Sequence, residues 1–467
     1  MNLSEDAVDF IDESYLFGLL AGKKPDPSRV REIIAKSLAQ VALSVEETAE
    51  LLLADTSELI EEIFAAAKEV KRNVYGNRIV IFAPLYIGNK CVNDCSYCGF
   101  KRSNISAIRQ TLNKKEIREQ VERLESQGHK RLILVFGEHK AYDPTFIAGS
   151  VRTVYDTKVG HGEIRRVNIN AAPLDHEGYA IIKASGIGTY QIFHETYHHV
   201  TYARLHPENT RKANYLYRLD GLSRAFEAEC DDVGLGVLFG LADWKFEILG
   251  LVTHALYLQQ RYNVGPHTIG FPRLKPALGV DIDESRLVND EDFKRIIAIL
   301  RLAIPYTGLV LTARENAEVR RACMSLGVSQ IDAGSCIEPE RKTEAGDAKD
   351  MTAQFTLGDV RSLDEVLGEL MRDGYLPSFC TSCYRLGRTG EQFMEFSVSG
   401  FIKNYCTPNA LMTLEEYLVD YASPETKALG EKLIVEELAK LPDGDMKENI
   451  IKRLREISEK EIRDQHF

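Results

Sequence analysis

Three cysteines of this 467-residue chain lie close enough in sequence to bind one metal cluster. Cys91, Cys95 and Cys98 have the spacing C-x3-C-x2-C. Thiolates bind iron and zinc strongly, and three cysteines on one loop can hold three corners of an iron–sulfur cubane while the fourth iron stays open. A structural zinc site needs four ligands, which this loop does not supply. Unrelated buried or free cysteines are the alternative interpretation. The spacing favours an iron–sulfur cluster with one open iron.

A second cysteine trio follows near the C-terminus. Cys380, Cys383 and Cys406 have the spacing C-x2-C-x22-C. Taken alone, this spacing fits zinc and iron–sulfur equally well, because a close pair with a remote ligand is also common in zinc sites. Beside the first trio it favours a second iron–sulfur cluster. The other three cysteines have no partner at ligand spacing and are expected to be buried as apolar residues. They are Cys230, Cys323 and Cys336.

The elements that must position these cysteines alternate between strand and helix. From residue 78 onward, short apolar runs are each followed by a polar turn and an amphipathic helix, which is typical of a parallel sheet built from β/α units. Eight such runs over about 260 residues predict a (β/α)8 barrel of the TIM type, in which functional groups collect at the C-terminal ends of the strands. A doubly wound open sheet would show the same periodicity. The predicted strands are 78–86, 131–137, 166–171, 189–195, 234–240, 267–272, 308–313 and 330–334.

Both ends of the chain lack this alternation. Residues 1–76 predict helices, one of which begins at a capping box formed by Ser44 and Glu47. Residues 77–373 then form the barrel, and residues 374–467 form a mostly helical C-terminal lobe that carries the second cysteine trio. We expect three parts with these boundaries.

The composition excludes several classes of protein. Lys and Arg number 58 against 70 Asp and Glu, a net charge of −12, which disfavours nucleic acid as a partner. No stretch approaches the ~20 apolar residues of a membrane span, so no membrane contact is expected. The acidic N-terminus lacks the pattern of a secretory signal or a transit peptide. We therefore expect a cytoplasmic protein.

The first motif carries a resemblance to a known superfamily. C-x3-C-x2-C after the first strand of a barrel, with the aromatic Tyr97 before the last cysteine, resembles the radical S-adenosylmethionine (SAM) enzymes. The resemblance implies a 4Fe-4S cluster whose open iron chelates the amino and carboxylate groups of SAM. Reductive cleavage then gives methionine and a 5′-deoxyadenosyl radical. Tyr97 is implied to lie beside the adenine.

The same resemblance implies further SAM-binding residues at strand ends. Glu138 follows the second strand and resembles the residue that receives the SAM amino group. Gly236 resembles the backbone segment that lies against the adenine. Glu195 ends the fourth strand, and Arg218 on the next helix is a candidate clamp for the SAM carboxylate; a solvated helix face is the alternative for Arg218. The neighbouring His194 departs from the superfamily pattern, where glutamine is more usual.

Over nearly its whole length the chain resembles one radical SAM family. Both cysteine motifs, with the segments 194–234 and 308–322 between them, are similar to the tyrosine lyases of FeFe-hydrogenase maturation. The related 2-iminoacetate synthases of thiazole biosynthesis share the barrel and the first motif but not the C-terminal trio. They are the alternative family.

The resemblance implies a reaction in two stages. The deoxyadenosyl radical removes a hydrogen atom from the amino group of L-tyrosine, and Cα–Cβ scission gives p-cresol and dehydroglycine. The dehydroglycine is converted to CO and cyanide at the C-terminal 4Fe-4S cluster, on an extra iron held by a histidine and an L-cysteine ligand. An electron donor such as a flavodoxin or ferredoxin and other hydrogenase maturation proteins are the implied partners.

Three further residues receive roles from this family resemblance. His267, before the sixth strand, is the candidate histidine for the extra iron, and a hydrogen-bonded histidine at the barrel rim is the alternative. Arg314 and Ser335, at the ends of the seventh and eighth strands, resemble the positions that hold the substrate carboxylate. Arginine suits this role because its fork donates two parallel hydrogen bonds. A structural pairing of Arg314 with Glu318 is the alternative.

Overall fold

The computed structural model describes residues 2–275, 283–337, 353–392, 395 and 402–467. Eight parallel strands close into one barrel, because the first strand pairs with both the second and the eighth. The predicted (β/α)8 barrel is thereby confirmed, and an open doubly wound sheet is excluded. The barrel strands are β1 (Arg78–Gly88), β2 (Arg131–Phe136), β3 (Arg166–Asn170), β4 (Tyr190–Glu195), β5 (Val233–Val237), β6 (Thr268–Gly270), β7 (Gly308–Leu311) and β8 (Gln330–Asp332).

Seven of the eight strands are shorter than their predicted runs, and β5 and β6 illustrate the reason. β5 ends at Val237, three residues before Gly240, whose φ of +105° is incompatible with a strand. β6 ends at Gly270, two residues before Pro272, which has no N–H to donate to a neighbouring strand. Apolar character thus continues past both strand ends, onto the segments that surround the barrel mouth.

Helices cover the outside of the barrel and form both terminal parts of the chain. In the described parts of the chain, none of them is long and apolar enough to cross a membrane. The helices are Glu13–Leu20, Pro27–Leu38, Val45–Leu53, Ser57–Tyr75, Lys114–Ser126, Pro144–Tyr155, His176–Lys183, His199–Leu205, Tyr215–Leu219, Gly221–Glu227, Trp244–Tyr262, Asp290–Ala303, Ala317–Met324, Leu363–Arg372, Ser382–Arg385, Ile402–Asp420, Pro424–Lys440 and Asp445–Lys460.

The first four helices pack against one side of the barrel. Helix Val45–Leu53 begins at the predicted capping box: the Ser44 hydroxyl accepts from the N–H of Glu47, and the Glu47 carboxylate accepts from the N–H of Ser44 at 2.8 Å. Such a cap stabilises a helix by about 1 kcal/mol. Helix Ser57–Tyr75 lies along the barrel helix Asp290–Ala303. The N-terminal extension is thus part of the same packed body as the barrel.

The C-terminal lobe attaches to the opposite end of the barrel from the β1–Cys91 loop. Its short strand β9 (Leu376–Ser378) runs parallel to the beginning of β1, from Arg78 to Val80. Helix Ile402–Asp420 packs against β9. Because β9 pairs only with the first residues of β1, the lobe covers the N-terminal ends of the barrel strands.

Candidate active site

The loop after β1 lies at the C-terminal end of the barrel. Cys91, Cys95 and Cys98 all line one cavity of about 1420 Å³, a volume that includes the space at its mouth. The loop is held to the strand beside it, because the N–H of Val92 donates to the carbonyl of Glu138 at 2.8 Å. The three cysteines predicted from their spacing therefore face a common space inside the barrel mouth.

The thiols of this loop suit an iron–sulfur cluster. Burial raises the pKa of Cys95 to about 12 and raises the pKa of Cys98 as well. Without a metal these thiols keep their protons near neutral pH, whereas a bound cluster displaces them. In the described residues, no three His, Cys, Asp or Glu side chains form a site for a single metal ion. Cysteines of a cubane each bind a different iron and need not converge on one point.

Four residues that the resemblance assigns to SAM line the same cavity. They are Tyr97, Glu138, Glu195 and Arg218. The Glu138 carboxylate accepts a hydrogen bond from Asn93 Nδ2 at 2.7 Å. Arg218 donates from Nε to the carbonyl of Phe193 at 2.8 Å, and its guanidinium lies 3.7 Å from Glu195. The wall thus presents both carboxylates and a guanidinium, which can pair with the ammonium and carboxylate groups of one ligand.

Lys212 joins two of these residues, although no sequence pattern marks it. Its Nζ donates to the Glu195 carboxylate at 2.6 Å and to the Tyr97 hydroxyl at 2.9 Å. The Tyr97 hydroxyl also lies 2.8 Å from Nε2 of His206, whose pKa burial lowers to about 2, so this ring is neutral. Lys212 sits in the short 3-10 turn Arg211–Ala213, away from any strand end. Only the packing of this turn over the cavity brings it to the site.

Glu195 occupies an unusual backbone conformation. Its φ is +78°, in the left-handed region that non-glycine residues rarely adopt, at a cost of about 1–3 kcal/mol. The pairing of β4 with β5 shifts register between Phe193 and Glu195. This irregularity at the strand end directs the Glu195 carboxylate toward Lys212 and the cavity.

Gly236, on β5, packs against the neighbouring strand β4. Gly236 is not on the cavity wall: the Phe193 ring lies directly against it, so a Cβ there would overlap the ring, and Leu238 lines the cavity instead. The structure thus gives Gly236 a packing role against Phe193, and its expected contact with the adenine stays a prediction.

His194 points into a packed aromatic cluster. Its ring lies 4.8 Å from the Tyr197 ring and 5.2 Å from the Tyr202 ring, measured between centroids. Neither ring nitrogen has a hydrogen-bond partner among the described residues, and burial lowers the pKa of His194 well below its usual range. A neutral, buried ring of this kind serves packing.

Arg314, after β7, is available to bind a ligand in the cavity. It lines the cavity, and its guanidinium stacks 3.5 Å from the centroid of the Phe355 ring. No carboxylate in the described residues forms an ion pair with it, and the adjacent Glu315 instead pairs with Arg273 at 2.6 Å. Pairing with Glu318 is therefore not observed.

Ser335, the second residue expected at the substrate carboxylate, contacts the cavity only indirectly. Its hydroxyl donates to the Asp332 carboxylate at 2.7 Å, and Asp332 lines the cavity. Burial raises the pKa of Asp332. The structure thus brings Arg314, but not Ser335, onto the cavity wall.

The C-terminal cysteines lie around a second pocket at the other end of the barrel. This pocket has a volume of about 520 Å³ and is lined by the cysteine trio and by His267. The trio is Cys380, Cys383 and Cys406. His267 lies immediately before β6, so that it faces the N-terminal end of the barrel. Sequence positions more than 100 residues apart thus meet at one pocket.

Buried cations surround the trio. Arg78 and Arg131, at the starts of β1 and β2, line the pocket, and Arg131 donates to the carbonyl of Cys380 at 2.7 Å. A hydrogen bond from the Cys383 thiol, together with the guanidinium of Arg78, lowers the pKa of Cys406 to about 6. The thiolate, the form that binds iron, is thus favoured at Cys406, whereas burial raises the pKa of Cys380 and the hydrogen bond with Cys406 raises the pKa of Cys383.

The environment of His267 keeps its imidazole neutral. Burial lowers the pKa of His267 to about 4, and the Tyr384 hydroxyl contacts its Nε2. Neutral imidazole is the form that binds iron. Three thiols and one imidazole around one pocket therefore fit a cubane with an adjacent iron.

The three remaining cysteines differ in how far they are buried. Cys230 and Cys323 are 3% and 0% exposed and belong to the main core, as expected. Cys336 is half-buried, contrary to that expectation, because it lies in the loop after β8 rather than under a helix.

Known proteins match the chain in sequence and in structure. The family model of the radical SAM superfamily matches residues 85–248, and that of the Biotin and Thiamin Synthesis associated domain matches residues 270–376. The crystal structure of HydG, described as a maturase of the [FeFe]-hydrogenase, is 45% identical with a TM-score of 0.93, and the match covers 98% of this chain and 100% of that one.

Two further relatives match over most of their length. The FeFe-hydrogenase maturase HydG from Carboxydothermus hydrogenoformans is 36% identical with a TM-score of 0.82, over 94% of this chain and 97% of that one. The 2-iminoacetate synthase of Salmonella typhimurium is 29% identical over 372 residues, which are 77% of this chain and 92% of the synthase.

Proposed function

The chain belongs to the HydG family of [FeFe]-hydrogenase maturases, a family of radical SAM enzymes, and from this premise we propose that it cleaves L-tyrosine. The products are p-cresol and dehydroglycine, and the latter is converted to CO and cyanide for the organometallic iron precursor of the hydrogenase. The observation that carries the proposal is the placement of two cysteine trios at opposite ends of one barrel.

The cavity at the C-terminal end of the barrel, lined by Cys91, Cys95 and Cys98 and called the upper cavity below, is proposed to bind SAM and tyrosine together. When bound, the first 4Fe-4S cluster and SAM supply a 5′-deoxyadenosyl radical, which takes a hydrogen atom from the tyrosine amino group. Glu138 accepts hydrogen bonds from the SAM ammonium group, and Arg218 donates hydrogen bonds to the SAM carboxylate. Lys212 orients Glu195 and Tyr97 around the remainder of SAM. These roles rest on the contacts that each side chain makes on the cavity wall.

Arg314 is proposed to bind the carboxylate of tyrosine. Its unpaired guanidinium can donate two parallel hydrogen bonds, which fixes the orientation of the amino acid as well as its position. Ser335 supports this end of the site by bonding Asp332 on the wall. Holding both ligands in one cavity places the reacting atoms side by side.

The pocket at the N-terminal end of the barrel, called the lower pocket below, is proposed to hold the second 4Fe-4S cluster. Its ligands would be Cys380, Cys383 and Cys406. His267, on the same pocket, would hold the extra iron, with L-cysteine as a further ligand. Arg78 offsets the negative charge of the thiolates, because its buried guanidinium lies beside them. When bound at these residues, the irons would supply positions for CO and cyanide.

The partners in this proposal follow from its chemistry. Each SAM cleavage consumes one electron, so a carrier such as a flavodoxin or ferredoxin must reduce the first cluster. Other hydrogenase maturation proteins would receive the iron product. No role for nucleic acid or a membrane is proposed.

Quantification of products and cofactors tests this function. Protein reconstituted anaerobically should bind about eight irons with acid-labile sulfide. With SAM, tyrosine and a reductant it should release 5′-deoxyadenosine, p-cresol and CO, the last trapped by a haem protein. Zinc without sulfide, or no p-cresol, would refute the proposal.

A second candidate function is that of a 2-iminoacetate synthase. It is favoured by the 29% identity to such a synthase over most of the barrel. This enzyme would release p-cresol and leave dehydroglycine intact. The presence or absence of CO in the same assay decides between the two functions, with glyoxylate from hydrolysed dehydroglycine as the marker of the synthase.

A further inference from the structure

Four polar side chains on the wall of the upper cavity, cysteines aside, have no hydrogen-bond or ion-pair partner among the described residues. They are Asn170, Gln191, Thr312 and Arg314. The other polar groups on this wall are bonded within the protein, as for Glu138 with Asn93 and Tyr86 with Gln354. A buried polar group that lacks a partner costs free energy, which a bound ligand can recover.

Two of these four side chains form a pair deep in the barrel. Asn170 and Gln191 are register partners on β3 and β4, and both face the cavity. Gln191 precedes Glu195 by four residues, so it lies about 13 Å deeper along the strand at ~3.3 Å per residue. Its Nε2 would lie 3.6 Å from a Cβ on Gly270. A Cβ there would overlap the Phe193 ring, so the glycine makes room for this ring beside the amide.

Much of the wall of the same cavity is apolar. Phe82, Ile133 and Val310 line it. Arg314 follows β7 at the C-terminal end of the barrel, where burial lowers its pKa and the charges of Tyr86 and Glu195 offset part of this effect. An aromatic amino acid whose carboxylate binds Arg314 can therefore extend its ring inward, toward the two amides.

We propose that Asn170 and Gln191 form the subsite that binds the phenol hydroxyl of the substrate and selects tyrosine over phenylalanine. This inference rests on the proposed function and names the part of the site that recognises the ring substituent.

Amide chemistry suits a phenol. A primary amide can accept the phenol O–H through its carbonyl and donate to the phenol oxygen through its NH2. Phenylalanine has no hydroxyl, so it would leave both amides without this partner. A site built to bond a hydroxyl discriminates strongly against the analogue that lacks it.

Equilibrium dialysis with labelled tyrosine and labelled phenylalanine tests the inference. The reconstituted protein is used with SAM but without reductant, so that binding is measured in the absence of turnover. The wild-type protein should bind tyrosine at least about 100-fold more tightly than phenylalanine. Gln191→Met removes the amide at nearly constant size and should weaken tyrosine binding about tenfold, leaving phenylalanine binding unchanged.

Two other variants make the result specific. Asn170→Leu removes the partner amide from the neighbouring strand and should reduce the preference for tyrosine in the same direction. Thr312→Val is the matched control, because it removes an unpartnered polar group from the same wall. It should leave the preference unchanged.

Several outcomes would overturn the inference. One is an equal loss of tyrosine and phenylalanine binding in both amide variants, which would indicate damage to the cavity. Another is an unchanged preference in both variants, and a third is an equal change in Thr312→Val. Failure of the wild-type protein to bind tyrosine at all would instead refute the proposed function.

Discussion

The two cysteine sites differ in how the barrel builds them. The upper site is carried by a loop after β1 and opens into a cavity of about 1420 Å³, with carboxylates and cations mixed on its wall. The lower site is formed by the C-terminal lobe and by the starts of several strands, around a pocket of about 520 Å³. Two arginines, Arg78 and Arg131, line this pocket, and among its described lining residues there is no Asp or Glu.

This difference corresponds to two kinds of chemistry. The mixed charges of the upper wall suit zwitterionic ligands, which carry an ammonium and a carboxylate. The lower pocket suits thiolates and small anions, because its buried guanidiniums stabilise negative charge. One barrel therefore offers two electrostatic environments at opposite ends.

The largest expected effect follows from removing a thiol of the upper site. Cys95→Ala should abolish 5′-deoxyadenosine, p-cresol and CO together, because no radical is generated. The three products are measured on one reconstituted sample. p-Cresol near the wild-type amount would remove Cys95 from the cluster assignment.

Removing a thiol of the lower site should separate the two stages. In Cys383→Ala, p-cresol should stay within about twofold of wild type, while CO should fall at least tenfold because no iron site remains to process dehydroglycine. Electron paramagnetic resonance on the same samples checks that the first cluster is intact. An equal loss of both products with that cluster intact would mean a single coupled site.

Arg314→Lys should change the use of tyrosine in the upper cavity. The variant keeps the charge but loses the paired hydrogen bonds, so the KM for tyrosine should rise about tenfold. SAM cleavage in the absence of tyrosine should be little changed. The two rates are followed as p-cresol and 5′-deoxyadenosine, and an unchanged KM would place the carboxylate site elsewhere.

His267→Ala should give a milder version of the lower-site defect. The cubane keeps its three cysteines, and only one ligand of the extra iron is lost. We expect p-cresol at the wild-type level and a several-fold reduction in iron carbonyl, measured by infrared spectroscopy. Wild-type carbonyl yield in His267→Ala would leave His267 as a structural histidine bonded to Tyr384.

The smallest effect concerns the cations at the lower end. Lys71 is 3% exposed and lies beside Arg78 and Arg301. Burial lowers its pKa to about 7, whereas the pKa of a lysine in an unfolded chain is about 10.4. The unfolded chain holds the extra proton between these values, so this residue makes stability rise with pH there. Lys71→Met should raise the free energy of unfolding by about 1–3 kcal/mol near pH 6.5.

The gain from Lys71→Met should shrink as the pH approaches 9, because the cost of removing the proton that the unfolded lysine holds falls as the pH nears its pKa. Denaturant unfolding at pH 6.5, 8 and 9 measures this trend. Lys68→Met, on the exposed face of the same helix, is the control. A gain of the same size at each pH would show that burial of charge at Lys71 is not the cause.

Much of the fold could be predicted because its signals are local. The alternation of apolar runs and helices gave all eight barrel strands, and the Ser44–Glu47 capping box marked a helix start that the structure confirms. Strand ends were less predictable, because the apolar character continues into the segments around the mouth. Gly236 shows the same limit, since only the packing of Phe193 reveals why a glycine is needed there.

Parts of the candidate site had no local signal at all. Lys212 reaches Glu195 and Tyr97 only because a short turn folds over the cavity. Arg78 and Arg131 begin strands, where sequence reasoning expects structural residues, and they acquire a place beside the cysteines only when the lobe covers that end.

The sequence by itself determined the two sets of thiols and the barrel, because ligand spacing and strand periodicity are properties of neighbouring residues. The tertiary structure decided that the two sets lie at opposite ends of that barrel. It also decided that His267 meets Cys380, Cys383 and Cys406. Closure of the barrel causes this convergence, since it brings strand starts that are distant in sequence to one rim, where the C-terminal lobe then packs.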